Sequence, residues 1–93
     1  MKYELMTIYK NELGEEGAKK LSGSISNIIS SAGAKEVKND FWGRRKFAYE
    51  IKGDVEGFYD LFTFDLESSS VKTVKEKLNL INGLVRYLFT AQK

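Results

Sequence analysis

Phe41-Trp42-Gly43-Arg44-Arg45-Lys46-Phe47-Ala48-Tyr49-Glu50-Ile51 brings together the only tryptophan of the chain, three consecutive cations and a set of aromatic rings. Arginine presents forked N–H donors that match phosphate oxygens in pairs, and aromatic faces are surfaces on which bases stack. Phe47, Tyr49 and Ile51 repeat with the period of a β-strand, so the cations open a strand that is aromatic along one side. That combination suits an anionic, flat-faced partner, and nucleic acid is the first candidate. Alternation sets Arg44 and Lys46 on one side and Arg45 on the side of Phe47 and Tyr49, where a guanidinium can stack on a base or a ring. The plainer reading of the same cations is that they guard an edge strand against edge-to-edge association. Trp42 reads first as a core anchor; beside a glycine bend it can instead form an exposed aromatic platform.

Other chemistry is largely excluded by composition. The chain has no cysteine and no histidine, which removes thiol nucleophiles, disulfides, thiolate metal sites and the commonest general base. Glu15/Glu16 and Asp60/Asp65 are carboxylate pairs with no convergent base, and they read as helix-start charges and strand-end solvation. Lys52–Gly57 carries two glycines, but a phosphate-cradling loop needs a helix after it and here a strand follows. No enzyme, metal or cofactor is expected. A formal net charge of +2 is too small for a protein that coats nucleic acid unaided, so any such contact must be local. No apolar run approaches the ~20 residues of a membrane span, and a cytoplasmic location without membrane contact is expected.

The elements that position this stretch follow from periodicity. Tyr3–Tyr9 is a strand with apolar residues on both parities, as a central strand requires. Ala18, Leu21, Ile25, Ile28, Ile29 and Ala32 form one helical stripe over Glu15–Ala32, capped by Gly33. Ala34–Ile51 is one long strand interrupted at Gly43 by a bulge or bend, and Lys52–Gly57 is a hairpin connection. In the partner strand Phe58–Leu66, Phe58, Phe62 and Phe64 share one parity, while Tyr59, Leu61 and, across a bulge, Leu66 take the other. Val71, Val74, Leu78 and Ile81 predict a second helix that Asn82-Gly83 stops, and Leu84–Thr90 is the last strand. Lys72, Lys75 and Lys77 face outward from that helix or toward a ligand. The order β-α-β-β-α-β in 93 residues gives a single α+β domain over residues 1–93. The expected fold is a ferredoxin-like βαββαβ sandwich, a four-stranded antiparallel sheet with both helices on one face. Its first and third strands are central, and the cationic stretch lies on an edge. One set of third-strand residues, Phe58/Phe62/Phe64 or Tyr59/Leu61, is left on the open face as a partner surface. The RNA-recognition motif shares this topology, but Asp60 and Thr63 stand where its aromatics belong.

Trp42-Gly43-Arg44-Arg45-x-Phe47-Ala48-Tyr49-x-Ile51 resembles the signature of the bacterial small-ribosomal-subunit protein six (S-six) family. The Tyr3-Glu4 opening, Ala32-Gly33-Ala34, Gly57-Phe58-Tyr59 and Leu84-Val85-Arg86-Tyr87-Leu88 agree with its layout. The resemblance implies a structural protein of the cytoplasmic ribosome, monomeric when free, that binds the central domain of small-subunit ribosomal RNA. It also implies that binding occurs as a heterodimer with ribosomal protein eighteen of the same subunit. Carried onto this chain, Lys2, Tyr3, Arg44, Arg45 and Arg86 become candidate contacts to RNA or partner, with Trp42 and Lys46 beside them in the same stretch. Family members usually have Pro after the Ala-Tyr pair, where this chain has Glu50, and many carry a longer C-terminal tail. Neither a rigid turn at that point nor a tail contact is therefore expected. Two other classes share the topology. One is a self-associating or small-ligand-sensing module that dimerises through its sheet. The other is a small acyl-phosphate hydrolase, which would need a Gly-rich cradle after the first strand that this chain lacks.

Overall fold

Strand alternation and two helical stripes build the layers. The computed structural model describes residues 1–51 and 54–92, the side chains of 47–51 and 54 excepted. Its elements are β1 (Lys2–Lys10), α1 (Gly14–Ser31), β2 (Lys35–Ile51), β3 (Asp54–Asp65), α2 (Val71–Leu78) and β4 (Leu84–Ala91). A 3₁₀ turn precedes each helix, at Asn11–Leu13 and Ser68–Ser70. The strands pair antiparallel in the order β2-β3-β1-β4, so β1 and β3 are central and β2 and β4 are edges. This is the expected ferredoxin-like arrangement.

Both helices pack on one face. Tyr3, Leu5 and Tyr9 of β1 and Phe58, Phe62 and Phe64 of β3 meet Ala18, Ile25 and Ile29 of α1 and Val74 and Leu78 of α2 in one core. The β1–β3 register sets Tyr3 opposite Phe64, Leu5 opposite Phe62 and Tyr9 opposite Phe58, which puts these residues on the helix side together. Each fully buried Leu, Ile or Phe contributes about 1.5–3 kcal/mol, enough to hold α1 despite its glycines and serines. The phenylalanine parity is thus the buried one, and Tyr59 and Leu61 are left to the open face.

Two glycines punctuate the path. Gly33, at φ 97°, ends α1 by donating to the Ser30 carbonyl while Ala34 donates to that of Ile29, as the helix stop predicts. Gly43 has φ 84° and sits where the β2–β3 register shifts from Phe41/Asp60 to Gly43/Tyr59. An L side chain there would cost about 1–2 kcal/mol in backbone strain, even though a Cβ would meet nothing within 4 Å.

Three boundaries differ from those read in the sequence. β3 begins at Asp54, because Asp54, Glu56 and Gly57 pair with Ile51, Lys46 and Arg45; ladder hydrogen bonds override their turn propensity. The turn expected at Lys52-Gly53 lies outside the described residues, as do the ring positions of Phe47 and Tyr49 and the side chains of Glu50 and Ile51. α2 stops at Leu78 rather than Asn82, since Leu80 and Ile81 donate to Lys77 and Leu78 in tightened turns. Leu66 does not join Tyr59 and Leu61. It follows β3, donates its N–H to the Met1 carbonyl and is buried in the helix-side core.

Candidate RNA and partner interface

Gly43 determines which way the cations point. Trp42 and Gly43 both stand against Tyr59, so one extra residue is absorbed and the strand resumes with Arg44 opposite Phe58. Arg44 therefore lies on the helix side, its guanidinium 5.0 Å from the centre of the Phe58 ring. Phe41 stacks on Phe58 at 6.3 Å, and the Lys19 ammonium lies 5.9 Å from the Phe41 ring centre. Arg45 falls on the open side opposite Gly57, and Lys46 opposite Glu56. All three cations of the stretch are exposed. The β2 edge thus offers positive charge to both sides of the sheet, backed by rings on the helix side.

Trp42 is not the core anchor that its size suggested. It is 41% exposed on the open face, stacked on Tyr59 at 6.5 Å with the rings 7° from parallel, and its indole N–H donates to Asp40 Oδ2 at 3.1 Å. Trp42 and Asp40, two residues apart, share one side of β2 by strand alternation, so the carboxylate fixes the ring as a platform. Beside it on the open face lie Ile8, Met6 and Leu61, then Leu88 of β4, which is 61% exposed.

The other predicted contacts lie apart. Arg86 closes the row Gly43–Tyr59–Ile8–Arg86 on the opposite edge, about 14 Å across the sheet. Lys2 is exposed at the far end of β1, opposite Asp65, about 26 Å along the strands from the Arg45–Gly57 pair. Tyr3 is 6% exposed: its ring packs edge-on against Phe89 at 5.2 Å, and its hydroxyl points to the Met1 sulfur. A ring so placed is a core side chain and offers no face to a ligand, because odd-numbered β1 residues point to the helices. The site residues thus form a β2 cluster of Trp42, Arg44, Arg45 and Lys46, with Lys2 and Arg86 as separate outliers.

One group was misread in the sequence. Asp60 is not a solvated strand-end carboxylate but is fully buried on the helix side, opposite Thr7. The Tyr9 hydroxyl donates to its Oδ2 at 2.6 Å and the Asn39 amide to its Oδ1 at 2.5 Å. Thr7 Oγ1 donates to Tyr9 Oη at 2.9 Å, and Ser22 Oγ of α1 donates to Asn39 Oδ1 at 3.3 Å. Burial, and then the hydrogen bond to Asp60, push the Tyr9 phenol well above its usual range. Its position at the parity of Phe58, Phe62 and Phe64 was the available signal. Asp65 does sit at a strand end, where the Met1 ammonium bonds it at 2.7 Å and holds its carboxyl below the usual range. Among the described residues no group of three or more carboxylates could hold a metal ion, and no helix is long and apolar enough to cross a membrane.

Comparison with known proteins fits this architecture. The family model for ribosomal protein S6 matches residues 2–91. Small ribosomal subunit protein bS6 of Fusobacterium nucleatum is 36% identical over 91 residues, covering 98% of this chain and 97% of that protein. The protein of the same name from Bifidobacterium longum is 39% identical over 85 residues, covering 91% and 88%. The crystal structure of 30S ribosomal protein S6 from Thermotoga maritima superposes with a TM-score of 0.89 at 26% identity, covering 98% of this chain and 86% of that one. These relatives are named as ribosomal proteins and not as enzymes. With the sheet order, the bulged Trp-Gly-Arg-Arg strand and matches over nearly its whole length, the chain belongs to the ribosomal protein S6 family.

Proposed function

We propose that the chain is a structural component of the small ribosomal subunit, in the cytoplasm, that binds the central domain of its ribosomal RNA jointly with ribosomal protein eighteen. The observation that carries this reading is the β2 edge, where a glycine bulge leaves Arg44, Arg45 and Lys46 exposed beside aromatic rings. Guanidinium groups there bond phosphate oxygens and fix the position of the RNA, while a protein partner takes apolar sheet surface. A net charge of +2 supplies little long-range attraction, so joint binding divides the electrostatic work between two proteins.

A filter-binding titration with a central-domain RNA fragment tests this. The expected result is an affinity at least about tenfold higher with protein eighteen present, falling steeply as salt rises. Equal affinity with and without the partner, or binding indifferent to salt, would overturn the proposal.

A further inference from the structure

The two edges of the sheet are built differently. β2 carries Lys35, Lys38, Arg44, Arg45 and Lys46 and a bulge at Gly43, the devices that stop an edge from accepting another strand. β4 reads Leu84-Val85-Arg86-Tyr87-Leu88-Phe89-Thr90-Ala91, with a single cation, no proline, and no irregularity after the one near its start. Its backbone orientation is fixed by the Gln92 N–H, which donates to the Lys2 carbonyl at 2.8 Å. By alternation the peptide groups of Thr90, Leu88 and Arg86 also face β1, opposite Glu4, Met6 and Ile8. Those of Tyr87, Phe89 and Ala91 face away from the sheet along the edge. Leu88, 61% exposed, stands on the open face beside Met6 and Leu61.

We propose that this edge receives an extended strand of the protein partner, adding a fifth strand beside β4. The inference rests on the preceding reading that a second protein binds this chain. Peptide N–H and C=O groups along an edge are matched residue by residue only by another strand, which identifies the occupant as extended polypeptide rather than RNA. Its side chains alternate, and the one beside Leu88 is apolar, continuing the row Leu61–Met6–Leu88. The division of labour follows: protein on β4, where charge is scarce, and phosphate on β2, where cations are dense.

Leu88→Lys and Ala91→Pro test the assignment. Leu88 is exposed, and the Ala91 N–H points outward, so proline removes a donor that the sheet does not use. Binding to purified ribosomal protein eighteen is expected to weaken about tenfold or more in each variant. Wild-type Tyr87 and Phe89 amides should gain hydrogen-exchange protection on binding. Wild-type affinity in both variants, with Tyr87 and Phe89 exchanging as in the free protein, overturns the assignment while leaving the joint-binding reading intact. Complete absence of binding by the wild type overturns both. Protection that appears without the partner and grows with concentration assigns the edge to a second copy and also overturns the proposal.

Discussion

Replacing Asp60 with Ala is expected to cost about 2–3 kcal/mol of folding stability, measured as a lowered urea midpoint at unchanged m value. The carboxylate accepts from Tyr9 and Asn39, and the Tyr9 hydroxyl is sealed in the core where water cannot replace the lost acceptor. Tyr9→Phe is expected to cost a similar amount, about 2–3 kcal/mol, because a buried carboxylate then keeps only the Asn39 donor. The double replacement Tyr9→Phe with Asp60→Ala removes donor and acceptor together, and should be more stable than the sum of the single effects by at least about 1 kcal/mol. Strict additivity would show that the pair is not coupled. The pH dependence has a definite sign. The folded chain keeps the Tyr9 proton where the unfolded chain, near a tyrosine's ordinary value of about 10, releases it. Folded protein then binds more protons than unfolded, so this contribution is fully present below about pH 10 and declines as pH rises beyond it. Tyr9→Phe should remove that part of the alkaline decline.

Arg44→Ala together with Arg45→Ala is expected to weaken binding to the RNA fragment by about 10–100-fold at moderate salt. It should also flatten the slope of log K against log salt by about 1.4–1.8, the loss of two phosphate contacts. The two side chains lie on opposite sides of β2, so each single replacement should remove about half of that slope change. Lys2→Ala, at the far end of the sheet, is the internal control and should change the slope by less than either arginine. The same double variant addresses the plainer reading of these cations. With two charges gone from the edge, sedimentation at micromolar concentration should detect self-association absent from the wild type. Self-association with undiminished RNA affinity would leave the arginines as edge guards alone.

The fold was legible because each element carried its own period. The stripe from Ala18 to Ala32 could only be a helix, and the alternation in Phe58–Phe64 could only be a strand. The bulge was legible too, since Gly43 interrupts an otherwise continuous strand. Less visible was anything that depends on which face the helices cover. Tyr3 was read as a contact because the family resemblance placed it there, yet its parity with Leu5 and Tyr9 puts it in the core. Trp42 was read first as an anchor, with an exposed platform as the other reading, and the choice turned on its face: it lies on the same side of β2 as Asp40, whose carboxylate it bonds. Asp60 escaped because, taken as a pair with Asp65, it reads as strand-end solvation. Thr7 and Tyr9, the residues that complete its network, come from a strand more than fifty positions earlier. Polar groups that satisfy one another across a sheet leave no local mark in a sequence.

The stacked Trp42 has a further consequence, because it is the one indole in the chain. Excited by light, it reports the wetness of a single margin of the open face, next to β2 and about 14 Å from β4. A strand docking on β4 should leave the emission colour unchanged, whereas a ligand lying over Trp42 should shift it to shorter wavelength or quench it. The molecule thus carries its own lamp at one border of its binding surface, and successive additions of protein and RNA can be told apart by which of them dims it.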